Sequence, residues 1–213
     1  MLRHSSGLLI SSNLMVLFFL FVLNVLTTPQ NLWAVFPGVA MIYSASFLVR
    51  NLNRRRVYVM IAAPIIVAML ALQNWLMTPD YWWVMYTFGM IGVWVLNTWA
   101  GSYMWTKTYT IICSLLLIGF YIGLNIWFEP RFPWSICTTF ALVWWPLARF
   151  FGTKPITFSV LGSAWLILFL VSLNMVTTPN TLWAVIPAIC ILWWPLSVGF
   201  AMEIRKRKRA GTR

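Results

Sequence analysis

A proline recurs at nearly equal intervals along this chain, at Pro29, Pro79, Pro130 and Pro179, spaced by 50, 51 and 49 residues. Five residues before each stands an asparagine: Asn24, Asn74, Asn125 and Asn174. Four residues after each stands a tryptophan: Trp33, Trp83, Trp134 and Trp183. A three-part signature kept at one period means four copies of a single supersecondary unit. The outer copies agree best, T-T-P-Q-N-L-W-A-V-F-P at 27–37 against T-T-P-N-T-L-W-A-V-I-P at 177–187, and the middle copies have drifted.

Each copy reads as an apolar run, a short polar break and a second apolar run. The runs fall at 8–27 and 31–49, 57–77 and 81–103, 108–128 and 132–150, and 156–176 and 181–202. Most approach the roughly 20 residues that a helix needs to cross a hydrocarbon core. Composition agrees, because 62% of the 213 residues are hydrophobic and 8% are charged, against about 25% charged in a soluble domain. Backbone groups in lipid must be satisfied internally, and the runs lack the alternation of barrel strands, so helices are required. The expected fold is all-α and polytopic, with eight transmembrane helices as four tandem two-helix hairpins at 1–53, 54–105, 106–154 and 155–204. A basic tail follows at 205–213. The apolar start belongs to the first copy, so it reads as a retained span and not as a cleaved signal.

The break has its own chemistry. Thr28, Thr78 and Thr178 precede the proline and are expected to cap the second helix, with the proline at its first position. Glu129 takes that place in the third copy. Each asparagine falls in the last turn of the preceding helix, where its amide reaches a free terminal carbonyl or a neighbouring helix. Each tryptophan falls one turn into the next helix, at the depth of an aromatic belt. Pro37 and Pro187 are expected to bend their helices, as are the Trp-Trp-Pro runs at 144–146 and 193–195.

The net charge of +12 is distributed as a topology signal. Arg3, Arg50, Arg54, Arg55, Arg56, Lys107, Arg149, Lys154, Arg205, Lys206, Arg207, Lys208, Arg209 and Arg213 all lie between copies or at the ends, and only Arg131 lies on a turn. The positive-inside bias makes both termini cytoplasmic and the four hairpins parallel. Nucleic-acid binding is not expected. Arg205 to Arg209 are candidates for contact with anionic lipid.

Little in the sequence supports covalent chemistry. The acids are Asp80, Glu129 and Glu203, and the one histidine is His4. Asp80 and Glu129 sit on turns and Glu203 near the last helix end, so no acid–base pair or metal set converges within the spans. Cys113, Cys137 and Cys190 read as buried free thiols. Uncharged polar residues inside the spans (Ser11, Ser12, Asn13, Ser44, Ser46, Asn97, Thr98, Thr138, Thr139, Ser159, Ser163) either line a path for a neutral solute or hydrogen-bond between helices, the second being favoured. The twelve repeated Asn, Pro and Trp residues are read as hairpin architecture, with an outward binding face as the alternative.

At the turn, Asn24, Thr27, Thr28, Pro29, Leu32, Trp33 and Pro37, and likewise Asn174, Thr177, Thr178, Pro179, Leu182, Trp183 and Pro187, give a pattern that resembles the bacterial 2TM-domain hairpin family. The resemblance covers copies one and four well and copies two and three weakly. It implies a membrane module without catalytic residues, in a bacterial plasma membrane. This chain differs in carrying four copies. The expectation is a non-enzymatic scaffold, sensor or accessory subunit without a cofactor, which contacts the bilayer and a membrane-protein partner or a second copy of itself. A small carrier or channel for a neutral or lipidic substrate is the alternative.

Overall fold

A computed structural model describes residues 2–49 and 51–210, with side chains described for 11–49 and 51–208. The secondary structure of the described residues is helical, without strands: α1 Leu2–Thr27, α2 Val35–Leu48, α3 Leu52–Met77, α4 Met85–Ala100, α5 Lys107–Phe128, α6 Ser135–Phe151, α7 Pro155–Thr177, α8 Val185–Ile191 and α9 Trp193–Ala210. A 3₁₀ turn, Gly101–Trp105, follows α4. Four stretches are long and apolar enough to cross a membrane, namely α3, α5, α7 and Val185–Lys208. Ser11–Thr27, α2 and α6 are shorter apolar helices.

The chain divides into two compact units, Met1–Gly101 and Ser102–Arg213. In the first, α2 packs on α1 and α3, and α3 on α4. Its core is a stripe on α3 (Val59, Ala62, Ala63, Ile66 and Leu70) joined by Val84 and Trp94. These positions follow one helix face. Alanines at 62 and 63 allow the neighbouring backbones to approach closely. Polar bonds join the helices as well: Tyr58 Oη on α3 donates to the Ile42 carbonyl of α2 (2.7 Å), and Trp94 Nε1 on α4 donates to Ser46 Oγ of α2 (3.3 Å).

In the second unit α6 packs on α5 and α7, and α7 packs on α8 and α9. The stripe recurs one repeat further on, with Thr110, Cys113, Ser114, Leu117 and Tyr121 buried on α5 and Ser159, Gly162 and Ser163 on α7. Gly162 makes the tightest approach. A Cβ there would lie 2.8 Å from the Trp194 ring and 3.1 Å from that of Trp144. Those two rings and Phe158 form a cluster with centroids 5.9–6.3 Å apart.

The Trp-Trp-Pro runs have a structural consequence. Proline at position 146 or 195 cannot donate to the carbonyl four residues back, that of Leu142 or Ile191. Ser114 Oγ donates to the Leu142 carbonyl (3.3 Å) and Ser163 Oγ to the Ile191 carbonyl (3.5 Å). In the fourth copy the helix breaks here, at Leu192, between α8 and α9. Pro37 and Pro187 do not bend mid-helix as expected. They are the third residues of α2 and α8, in a first turn whose N–H groups have no intrahelical partner to lose.

Gly162→Leu is expected to lower the thermal midpoint of the detergent-purified protein through a steric cost of about 1–3 kcal/mol. Gly119, whose Cβ direction is open, serves as the control. Equal melting of Gly162→Leu and Gly119→Leu would show that the tryptophan cage does not constrain the helix.

Candidate functional site

The four turns share one hydrogen-bonded arrangement. Each asparagine is 1–4% exposed. In the first copy Asn24 Nδ2 donates to the carbonyls of Thr28 (3.0 Å) and Asn31 (2.6 Å), and its Oδ1 accepts from the Ala34 N–H (2.9 Å). Asn74 makes the same three bonds with Thr78, Tyr81 and Val84 (2.8, 2.8 and 3.0 Å). Asn125 makes them with Glu129, Phe132 and Ser135 (2.6, 2.9 and 2.9 Å). Asn174 makes them with Thr178, Thr181 and Ala184 (2.8, 2.7 and 3.0 Å). One amide therefore holds the end of one helix, the middle of the turn and the start of the next.

The proline sits inside this frame. The Asn31 N–H donates to the Thr28 carbonyl (3.0 Å) and the Trp33 N–H to the Asn31 carbonyl (2.9 Å). Pro29 is thus the second residue of a β-turn, where its fixed φ is suited, and a three-residue turn follows. The threonines are not N-caps. Thr78 and Thr178 are the residues that end α3 and α7, and Glu129 ends α5. The second helices begin at Val35, Met85, Ser135 and Val185, five or six residues beyond the prolines. The threonine hydroxyl has a different partner, since Trp33, Trp83 and Trp183 donate through Nε1 to Thr28, Thr78 and Thr178 Oγ1 at 2.9, 2.9 and 2.7 Å. These tryptophans belong to the turn and not to the following helix. In the third copy Trp134 packs edge-on against Tyr121, with centroids 6.4 Å apart.

At the opposite end of the hairpins, cations lie over aromatic rings. Arg55 is 5.0 Å from the Phe47 centroid, Arg56 is 5.2 Å from that of Trp99, and Lys107 is 4.9 Å from that of Phe150. Arg56 also donates to the Trp99 carbonyl at 3.0 Å. Asn51 caps α3 by accepting the Arg54 N–H at 3.1 Å. Arg205, Lys206, Arg207 and Lys208 continue α9 as helix and do not form a separate tail, and Arg207 pairs with Glu203 at 3.1 Å. The side chains of Arg3, His4 and Arg209, and all of Arg50 and Arg213, lie outside the described residues.

Two clefts carry polar groups. One, of about 200 Å³, lies in the second unit and includes Ser135, Thr139, Phe140, Trp165 and Ser172 in its lining. Phe140 stacks on Phe169 (4.1 Å), and Trp165 Nε1 donates to the Phe140 carbonyl (3.1 Å). The other, of about 370 Å³, lies in the first unit between Asn53, Arg56, Val57, Met60, Ile61 and Trp99.

The remaining polar residues of the helices are mostly engaged locally. Thr98, Thr138 and Ser159 donate to carbonyls of their own helices, those of Trp94, Ser135 and Ile156. Ser44 donates to Met41. Asp80 and Glu129 are exposed on turns of different units. Among the described residues no three His, Cys, Asp or Glu side chains converge as metal ligands. Cys113 is buried, but Cys137 and Cys190 are exposed, contrary to the expectation for all three. The chain matches no family model, and no curated protein or solved structure is detectably similar to it.

Replacing any one of Asn24, Asn74, Asn125 or Asn174 by Ala removes three hydrogen bonds and leaves turn groups unsatisfied, an expected loss of about 2–4 kcal/mol. Thr28→Val, which removes the hydroxyl that receives Trp33, is expected to cost about 1 kcal/mol. Thermal melts in detergent rank the two, and a smaller effect for asparagine would contradict its central place.

Proposed function

We propose that this protein is a non-enzymatic integral membrane subunit that acts through helix contacts with another membrane protein. Its four hairpins lie parallel, as eight spans with both termini cytoplasmic, in a plasma membrane of bacterial type, and each hairpin is a unit of the 2TM kind. The long helices and the placement of basic residues support this topology. The short second arms fit it when the turn is counted. A helix of 14 residues, such as α2, spans about 21 Å, and the six turn residues before it lengthen the crossing.

The observation that carries the subunit reading is the last arm. Over an apolar run of 18 residues in each long stretch, the buried share is 39% in α3, 28% in α5, 17% in α7 and zero in Val185–Lys208. On α9, Ser197 and Ala201 are exposed one turn apart, and Trp193 and Phe200 on the same helix are 70% and 69% exposed. The Ser197 hydroxyl donates to the Trp194 carbonyl of its own helix, at 2.8 Å. Small residues four apart form a shallow groove that admits another helix, where packing and not hydrophobicity drives association in lipid.

A second reading, a small carrier for a neutral or lipidic solute, draws on the cleft lined by Ser135, Thr139 and Ser172. Co-purification from the native host in mild detergent separates the two. The subunit reading expects a stoichiometric membrane partner that is lost with Ser197→Leu plus Ala201→Leu while the chain still melts normally. A homogeneous particle without a partner, whose liposome flux falls with Thr139→Val, supports the carrier instead. Single cysteines at 30, 80 and 180 are expected to react with an impermeant thiol reagent added outside intact cells, and those at 52 and 153 are not. The reverse pattern would invert the topology.

A further inference from the structure

The cleft at the basic end of the first unit is amphipathic along its length. Its mouth carries Asn53 and Arg56 at the start of α3, and its floor continues down the same helix as Val57, Met60 and Ile61, closed on one side by Trp99 of α4. The floor residues are 61%, 50% and 59% exposed. One end of the cleft therefore offers cationic and amide groups and the other offers only hydrocarbon.

Arg56 is held in place while retaining donors. Its guanidinium lies over the Trp99 ring and one terminal nitrogen is bonded to the Trp99 carbonyl. Its Nε is buried and has no hydrogen-bond partner, and the same is true of Arg55 Nε next to it. A cationic N–H buried without an acceptor leaves the guanidinium charge unmet inside the fold, and of the two only Arg56 lines the cleft. The first unit supplies no anion nearby. The only acid in the first unit is Asp80, on the turn at the far end of α3. A helix of 26 residues such as α3 spans about 39 Å, well beyond the screening length at physiological salt. Arg54, Arg55 and Arg56 are thus three adjacent positive charges at one helix start without a counterion among the described residues of the first unit.

We propose that this cleft is a binding site for an anionic membrane phospholipid. The phosphate sits against Arg56 and Asn53, and an acyl chain lies along Val57, Met60 and Ile61. Its residues are other than the basic residues of α9. The inference rests on the membrane topology proposed above, which puts the start of α3 at the headgroup level. A planar guanidinium suits phosphate because it presents paired donors. Its stacking on Trp99 fixes the fork beforehand, so less side-chain freedom is lost on binding. In the third copy Lys107 over Phe150 occupies the equivalent positions, but Met104 stands where Asn53 does.

The test is native mass spectrometry of the full chain in a neutral detergent, with added phosphatidylglycerol, phosphatidylcholine or inorganic phosphate, after flotation with vesicles has established membrane insertion. Phosphatidylglycerol is expected to be retained at least about fivefold better than phosphatidylcholine, the ratio set by roughly one interfacial charge contact. Arg56→Gln and Trp99→Leu are expected each to reduce this ratio to near one, with Arg56→Lys between them and the native chain. Arg207→Gln on α9 is expected to leave it unchanged. Equal retention of the two lipids, a preference that survives Arg56→Gln, or competition by millimolar inorganic phosphate that shows a free-anion site would each overturn the proposal. Failure to float with vesicles would instead overturn the topology beneath it. If Arg56→Gln melts early, Trp99→Leu and Arg56→Lys carry the comparison.

Discussion

The side-chain amide of one asparagine closes each hairpin. A reversal between two helices leaves carbonyls at the end of one and N–H groups at the start of the next, and lipid offers them no water. Asparagine can answer both needs at once, because its amide holds two donors and an acceptor on a short stem. Aspartate would lack the donors and glutamine would carry the amide too far. The bond pattern is the same in all four copies, although the surrounding residues vary. Where Glu129 replaces threonine, the hydroxyl that elsewhere receives a tryptophan N–H is gone, yet the Asn125 bonds remain. The asparagine is therefore the primary closure and the Thr–Trp pair a second layer upon it.

The same accounting governs the other end of the hairpins. Prolines 146 and 195 each free one carbonyl, and a serine 28 residues earlier takes it up. In the second copy both residues are absent. The equivalent positions there are Val95 and Ala63; without the proline no carbonyl is freed, and the serine position is a buried alanine in the core stripe. A break in the helix and its remedy are a pair, separated in sequence and adjacent in space.

Much of this was legible beforehand and the rest was hidden for definite reasons. The period, the hairpin positions and the place of each asparagine in a last helical turn follow from counting. The starts of the second helices do not. A Thr-Pro pair looks locally like a helix N-terminus, whereas the residue that satisfies the Ala34 N–H is Asn24, ten positions back. Local capping rules have no access to such a partner. The burial of Cys113 and the exposure of Cys137 and Cys190 were equally hidden. An apolar helix in lipid carries no inside–outside alternation of polarity, so hydrophobicity cannot say which face meets protein. Residue size can: the small pairs at 62–63, 113–114 and 162–163 mark the packed face in three copies. The role of Ser114 was missed because its partner carbonyl is announced only by Pro146.

The two ends of each hairpin differ in what they leave over. At the turns the asparagine, threonine and tryptophan groups consume one another, and Tyr81 and Tyr86 join through their hydroxyls. Exposed Asp80 and Glu129, and the buried Gln73 Oε1 without a donor, remain beside that closure. At the basic end, Arg55, Arg56 and Lys107 face rings, which attract a cation by about 0.5–2 kcal/mol but cannot neutralise it. Two guanidinium nitrogens there stay buried without an acceptor. The unmet positive charge of the first unit therefore gathers at the start of α3, where Arg55 and Arg56 lie. The phospholipid site proposed for that helix start is the arrangement that answers it.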